Sequence, residues 1–441
     1  MNTPAASYLE KYFARLERVQ TWRWCGEVLE SVGSTLESKG PPVPVGECCE
    51  IVDRLGGHHL AEVIGFRGAH VLLMPVKSSD GIQLGNPVTA LGVRAEIAVG
   101  PALMGRVLDG MGEPIDEGPR PAAVATLLLE GAARSPMDRM PIRTPLGTGI
   151  RVIDALLTVG RGQRVGVFGG SGVGKSTLIG MMTRNTEADM TVVGLVGERG
   201  REVREFLEDS LGTEGLARSV VLVSTSDQSP LLRMRAAMAA TTVAEYFAGQ
   251  GKNVLLVLDS LTRYAMAARE VGLAAGEPPT AKGYTPSVFT KLAKLVERTG
   301  QFRTGSITAF YTVLMEGDDQ QDPLVDAVRS LLDGHVVLSR AMAAEGWYPP
   351  VQVLDSISRL MPAVAEAGHL RNAELARRLL AAYARSEDLV RIGAYKSGSD
   401  PELDRALSAR EPLRVFLTQH AREQVQLNES VRDLARLAAE I

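Results

Sequence analysis

The stretch Gly169-Gly-Ser-Gly-Val-Gly-Lys-Ser-Thr177 constrains the fold of this chain more than any other, because it fits G-x-x-x-x-G-K-[ST] between a strand pattern and a helix pattern. Upstream, Gln163-Arg-Val-Gly-Val-Phe168 reads as a buried strand; downstream, Thr177-Leu-Ile-Gly-Met-Met182 opens a helix. Glycines in such a turn let consecutive backbone N–H groups converge on one anion, and the helix N-terminus adds its partial positive charge. Gly169, Gly170, Ser171, Gly172, Val173, Gly174, Lys175, Ser176 and Thr177 are therefore expected to cradle phosphates. Within the loop, the Lys175 ammonium is placed to reach β and γ phosphates and the Ser176 hydroxyl to hold Mg2+.

At 441 residues the chain exceeds one ordinary domain, and its length suggests about two to four. Hydrophobic content of 45%, charged content of 23% and a formal net charge of -4 describe a globular chain, with no bulk charge favouring nucleic acid. The three cysteines, Cys25, Cys48 and Cys49, are odd in number and two are adjacent, which argues against a disulfide framework and for a reducing compartment. Cys48 and Cys49 read as buried small apolar residues, and His58-His59 alone is too little for a zinc site. Glu10, Lys11, Arg15, Glu17 and Arg18 interrupt the N-terminal apolar residues, unlike a signal peptide. No apolar run approaches the ~20 residues of a spanning helix. A cytosolic location is expected.

Five segments follow from the patterning. Residues 1–21 place Tyr8, Leu9, Tyr12, Phe13, Leu16 and Val19 at helical spacing, an amphipathic helix that either packs on its own protein or docks a partner. From 22 to 95, short apolar runs broken by Gly, Pro and Ser suggest a small β-barrel. Residues 96–140, rich in Gly, Pro and Ala, read as a connector. From 141 to 361, apolar runs at Val165, Thr191, Ser219, Val254, Ser306 and Val336 alternate with helical stretches, the signature of an α/β core with a parallel sheet. The last segment, 362–441, is expected to be helical over Ala373–Ala384 and Pro412–Ala439.

Hydrolysis needs more than phosphate binding. Asp259 ends the run Val254-Leu-Leu-Val-Leu258, at the carboxyl edge of a buried parallel strand, where ligands bind in open α/β sheets. That position suits a carboxylate holding Mg2+ through water; the plainer reading is an N-cap for the helix near Leu261. Glu198 follows the strand Thr191–Val196 and is placed to orient water, with Arg199 beside it to neutralise phosphate charge. Its surroundings, Glu-Arg-Gly-Arg-Glu-Val-Arg-Glu205, also read as a solvated helix start.

Several stretches resemble a family: Gly147-Thr-Gly-Ile-Arg-Val-Ile-Asp154, the phosphate loop, Gly197-Glu-Arg-Gly-Arg-Glu202, Leu258-Asp-Ser-Leu-Thr-Arg-Tyr-Ala265, Gly276-Glu-Pro-Pro-Thr280 and Ser356-Ile-Ser-Arg359. Together they are similar to the rotary and secretion ATPases related to the catalytic subunit of ATP synthase. Gly283-Tyr-Thr-Pro-Ser-Val-Phe289, Thr308–Leu314, Glu316-Gly-Asp-Asp-Gln-Gln-Asp-Pro323 and Leu389–Tyr395 look most like the flagellar type III protein-export ATPase within that group.

The resemblance implies an N-terminal β-barrel, a RecA-like P-loop NTPase core with a parallel sheet and a C-terminal helical domain. It implies ATP as substrate with Mg2+. It matches Glu198 to the water-activating glutamate and Arg359 to an arginine finger supplied in trans, and hence implies a homohexamer. By the same resemblance the partners are a regulatory, stator-like protein at the N-terminal helix, a central coiled-coil stalk protein, export chaperone-substrate complexes and, peripherally, the export gate at the inner membrane. The loop Lys396-Ser-Gly-Ser-Asp-Pro-Glu-Leu-Asp404 resembles the tip that touches the stalk, through Asp400, Glu402 and Asp404; read without the family it is a polar turn with a helix N-terminus. Ala421 falls where the rotary subunit places an aromatic against adenine, and no base-binding residue is assigned.

Three rivals stand beside the flagellar reading. One is the ATPase of a virulence injectisome. Another is a non-catalytic nucleotide-binding ring subunit, against which Glu198 speaks. The third is an RNA-translocating RecA-type hexamer, which the barrel segment disfavours because it lacks a basic, aromatic-rich surface.

Overall fold

A computed structural model describes residues 23–131, 135–315 and 322–441. The amphipathic segment 1–21 and residues 316–321 of the Glu316–Pro323 stretch lie outside the described residues. The chain divides into two compact units, one ending at Ala95 and taking in Ala274–Gly276, the other made of Glu96–Leu273 and Glu277–Ile441.

In the first unit, β1 (Cys25–Val32), β2 (Thr35–Lys39), β3 (Glu47–Val52), β4 (His58–Arg67), β5 (His70–Pro75) and β6 (Pro87–Arg94) close into an antiparallel barrel. Alternation along β4 sends Ala61 and Val63 inward, where they meet Val28, Leu36, Cys49, Ile51, Leu73 and Val88. Closure pairs the edges that an open sheet would expose. Cys48 and Cys49 are both buried free thiols, and burial pushes the Cys49 thiol up to about 12.

The second unit begins with β7 (Glu96–Val99), β8 (Val107–Asp109) and β9 (Ala125–Leu128). Here the expected connector is corrected. β7 and β9 pair with each other, but β8 joins the core sheet parallel to a strand 110 residues further on. Three residues between glycine-rich turns carry no legible periodicity, so this strand exists only through its long-range partner. What holds it is the Arg106 guanidinium, which donates to both oxygens of Asp116 at 2.8 and 2.7 Å, while the Val107 N–H donates to the same carboxylate at 2.9 Å.

After the short pair β10 (Pro145–Leu146) and β11 (Val159–Gly160) come β12 (Arg164–Gly169), β13 (Met190–Glu198), β14 (Ser219–Thr225), β15 (Asn253–Asp259), β16 (Gly300–Gln301), β17 (Ser306–Leu314), β18 (Gly334–Val337) and β19 (Ile357–Ser358). Among the described residues the sheet order is β19-β18-β12-β17-β15-β13-β14-β8, parallel except for β19, with β16 hanging antiparallel on β17. The central strands are buried along nearly their whole length, as a sheet covered on both faces by helices requires. On one face lies the helix Lys175–Asn185, whose Leu178, Ile179, Met181 and Met182 meet Val193, Leu195 and Val257 of the sheet.

Beyond β19 the chain is helical over Ala367–Arg391, Pro401–Leu417 and Leu427–Glu440. The helix expected to begin at Pro412 instead contains that proline in its last turns, and a break at 418–426 separates it from the final helix. A proline inside a helix costs about 3 kcal/mol. Burial of Leu403, Ala406, Ala409, Leu413, Phe416 and Leu417 on the same helix offsets it. Among the described residues no helix is long and apolar enough to cross a membrane.

The Arg106 bond holds the Asp116 carboxyl down at about 2. Because the folded value lies below the ordinary carboxylate value of about 4, this stabilisation is complete above that pH and is lost as pH falls through about 2. Asp116→Asn is expected to destabilise the second unit by about 1.5–3 kcal/mol at pH 7, with the gap narrowing in acid. Thermal unfolding of both chains at pH 7 and near pH 2.5 measures it; equal midpoints at pH 7 would show that β8 is held by packing alone.

Candidate active site

Two glycines give the phosphate loop its shape through backbone conformation. Gly172 and Gly174 adopt φ of 76° and 95°, and an added Cβ at either would meet nothing within 4 Å, so the left-handed backbone is what requires glycine there. Gly174 then caps the helix Lys175–Asn185, leaving the first-turn N–H groups facing the loop. Ser176 and Thr177 are exposed, whereas Lys175 is buried, its Nζ donating to the carbonyls of Gly169 at 2.8 Å and Gly170 at 2.5 Å.

Asp259 is the last residue of β15 and is buried. Thr312 on β17 donates its hydroxyl to Asp259 Oδ1 at 2.6 Å. Burial raises the Asp259 pKa, and the Thr312 hydrogen bond and the Lys175 charge oppose that rise. The first turn of the helix that follows is met by Ser260, whose Oγ accepts from the Arg263 N–H at 3.3 Å.

Glu198 is aimed by a bulge. The pairing of β13 with β14 slips between Val196 and Glu198, at Gly197 with φ of 71°, and an added Cβ on Gly197 would sit 3.0 Å from Cβ of Arg263. Such bulges turn a strand-end side chain out of the ladder. Burial, then the charge of Asp259, pushes the Glu198 carboxyl up to about 8; a hydrogen bond with Glu202 acts the same way and the Arg263 guanidinium opposes it. Three carboxylates thus crowd one pocket served by Lys175 and Arg263.

A pocket with more anionic than cationic demand suits a cation. Among the described residues no group of three or more His, Cys, Asp and Glu side chains could hold a metal by itself. That donor set fits Mg2+, which keeps most of its waters and takes one or two protein oxygens plus substrate phosphates. Asp259 and Ser176 are the residues that would hold it.

The other expected residues divide. Arg199 is exposed beside the cluster and pairs with Glu202 Oε1 at 3.4 Å, which agrees with the solvated-helix reading of this segment as well as with a phosphate role. Arg359 is not brought to the cluster. It follows β19 at the sheet edge, its N–H donating to the Asp333 carbonyl at 3.0 Å, and the Asp333 N–H donates to Arg164 at the start of β12. The phosphate loop leaves the far end of β12, about 16 Å away along the strand. Sequence reasoning missed Thr312, Glu202 and Arg263; the signal for the first is a small hydroxyl near the carboxyl end of the apolar run of β17. The carboxylates of the 396–404 loop are used locally: Asp400 caps its helix, Glu402 pairs with Arg385, and Asp404 accepts from Tyr395 and Gly398.

Outer partners of a metal-binding carboxylate typically contribute 10–100-fold to affinity. Thr312→Val is therefore expected to raise the Mg2+ concentration for half-maximal nucleotide hydrolysis at least ~10-fold, read from initial rates at fixed nucleotide. An unchanged Mg2+ dependence would remove Asp259 from the metal.

Residues 149–358 match the ATP synthase alpha/beta family, nucleotide-binding domain, and residues 365–436 match the T3SS EscN ATPase C-terminal domain. A flagellum-specific ATP synthase of Treponema pallidum is 51% identical over 98% of this chain and 97% of its own length. A type 3 secretion system ATPase of Xanthomonas euvesicatoria is 49% identical over 89% of each. Among solved structures, the assembled ATPase EscN from the enteropathogenic E. coli type III secretion system superposes with a TM-score of 0.89 at 43% identity, covering 94% of this chain and 100% of that one. EscN in complex with its central stalk EscO gives 0.86 at 42%, with the same coverage. With a phosphate loop, a buried strand-end carboxylate and full-length identity near one half, the chain belongs to the ATP synthase alpha/beta family, in the branch of flagellar and type III secretion ATPases.

Proposed function

We propose that this chain is a Mg2+-dependent ATP hydrolase that works as a homohexameric ring and energises flagellar type III protein export. The observation that carries the reading is the convergence of Glu198, Asp259 and Lys175 at one sheet edge, on a chain about half identical to flagellum-specific ATP synthases over its full length. Lys175 exchanges its loop carbonyls for phosphate oxygens, and the N–H groups of Gly172–Thr177 surround the same anion. Ser176 and Asp259 hold Mg2+, which when bound supplies electrostatic stabilisation of phosphoryl charge. Glu198, turned inward by the Gly197 bulge, aligns water for attack, and Arg199 faces the γ phosphate once it releases Glu202.

Arg359 serves the neighbouring subunit. Within one chain Arg359 lies at the opposite strand ends from the phosphate loop, and β19 is five inter-strand steps, about 24 Å, from β13, beyond reach of its own Glu198. The relative EscN is solved assembled and with a central stalk, and by analogy the ring here takes a coiled-coil stalk. A stator-like regulator at residues 1–21, chaperone-bound substrates and the export gate complete the partners, with the ring cytoplasmic at the inner membrane.

Steady-state ATP hydrolysis against protein concentration tests the reading. Specific activity is expected to climb with concentration, and Glu198→Gln to bind ATP while turning over at least ~100-fold more slowly. A wild type that binds ATP and never hydrolyses it, at any concentration and with stalk protein added, would leave only a structural role. Deleting the gene separates the two export branches: loss of flagellar filament export supports this reading, whereas motile cells that lose secreted effectors would move the chain to the injectisome.

A further inference from the structure

The turn that carries Arg359 is gripped from the helical region. On the helix Ala367–Arg391, Arg377 donates Nη2 to the carbonyl of Ser356 at 2.7 Å and to that of Val353 at 3.1 Å. These two carbonyls bracket the short helical turn Val353–Asp355 that launches β19. Arg377 is half-buried, burial lowers its pKa, and among the described residues no carboxylate pairs with it. Desolvating a guanidinium without a counter-ion is costly. Here the charge is used on two backbone carbonyls, in hydrogen bonds stronger than neutral ones.

The remainder of the mount is fixed to the core. Ser356 Oγ accepts from the Val337 N–H at 2.9 Å and donates to the Gln352 carbonyl at 2.6 Å. Ser358 Oγ donates to the Thr158 carbonyl at 2.8 Å and accepts from Gln163 Nε2 at 3.0 Å. Gln163, fully buried at the base of β12, also donates to the Asp333 carbonyl that receives the Arg359 N–H. Arg359 is thus the exposed residue just past a turn held by β12 and β18 on one side and by Arg377 on the other.

We propose that Arg377 is a positioning residue for Arg359, setting from the helical region where that guanidinium is presented to the neighbouring subunit. This rests on the reading of Arg359 as a residue used in trans. Its consequence is specific: the defect of an Arg377 variant falls on the neighbour's active site and leaves the variant's own site intact. A misplacement of about 1 Å is enough to cost ~100-fold in rate.

The test is subunit mixing with full-length protein. Arg377→Met alone is expected to slow ring hydrolysis ~10–100-fold with nucleotide affinity per subunit within about twofold, and Arg377→Lys to recover part of the loss. Glu198→Gln subunits cannot hydrolyse but carry an intact Arg359 mount. Mixed with Arg377→Met they are expected to restore hydrolysis at the Arg377→Met sites, to the level reached by an Arg359→Ala with Glu198→Gln mixture. If Arg377→Met retains at least half of wild-type turnover, the proposal is wrong. It is equally overturned if Arg359→Ala is rescued by mixing and Arg377→Met is not, because the damage is then in its own subunit. Failure of Arg359→Ala to be rescued would instead sink the shared-site reading, and the proposal with it. Should Arg377→Met not fold by circular dichroism, Arg377→Lys goes through the same mixtures and decides by the same criteria.

Discussion

A carboxylate buried at the end of a parallel strand is the constraint on which this site depends. Taking an ion of that size out of water costs several kcal/mol even after relaxation. Asp259 is buried all the same, and its partners come from three places: Thr312 from β17, Lys175 from the phosphate loop, and Arg263 from the helix that follows β15. Thr312 and Lys175 are within reach only because β12, β17 and β15 are consecutive in the sheet and run the same way. Placing β13 next to β15 adds Glu198, with Leu195 level with Asp259 and the Gly197 bulge turning the last residue out of the ladder. The strand order is therefore a condition of the chemistry.

Much of this was legible in the sequence, for identifiable reasons. A parallel sheet covered on both faces leaves near-continuous apolar runs, and those at Val165, Thr191, Ser219, Val254, Ser306 and Val336 all became strands. The phosphate loop was legible because its motif carries glycine at Gly172 and Gly174, where the backbone is left-handed. Asp259 was legible because a carboxylate ending such a run has no other common use than a ligand or a cap.

What escaped the sequence depends on partners far along the chain. β8 is three residues long and is a strand because β14 is there to pair with it and because Asp116 fixes Arg106. Thr312 acquires its role from a residue 53 positions away. Pro412 reads as a helix start from local rules; it is itself exposed, and the buried face of its neighbours Leu413 and Phe416 keeps the helix running through it. The polar loop at 396–404 invited a partner, yet its carboxylates find donors within the loop and on Arg385.

The two ends of the helix Lys175–Asn185 connect these observations. Its first turn surrounds the phosphate position. Its last turn, about 15 Å away, is tied to the segment after Pro401–Leu417: Arg184 donates to the Ala421 carbonyl, and Asn185 donates to that of Glu423 at 3.2 Å. Gln419, buried, joins that segment to Gly149, to Arg151 and to Tyr348. The helix Pro401–Leu417 lies in one apolar core with Ala373, Ala376, Leu379 and Ala382 of Ala367–Arg391, the helix that carries Arg377. A displacement of the phosphate loop thus meets packed side chains and hydrogen bonds, rather than free chain, along the whole way to the turn before Arg359.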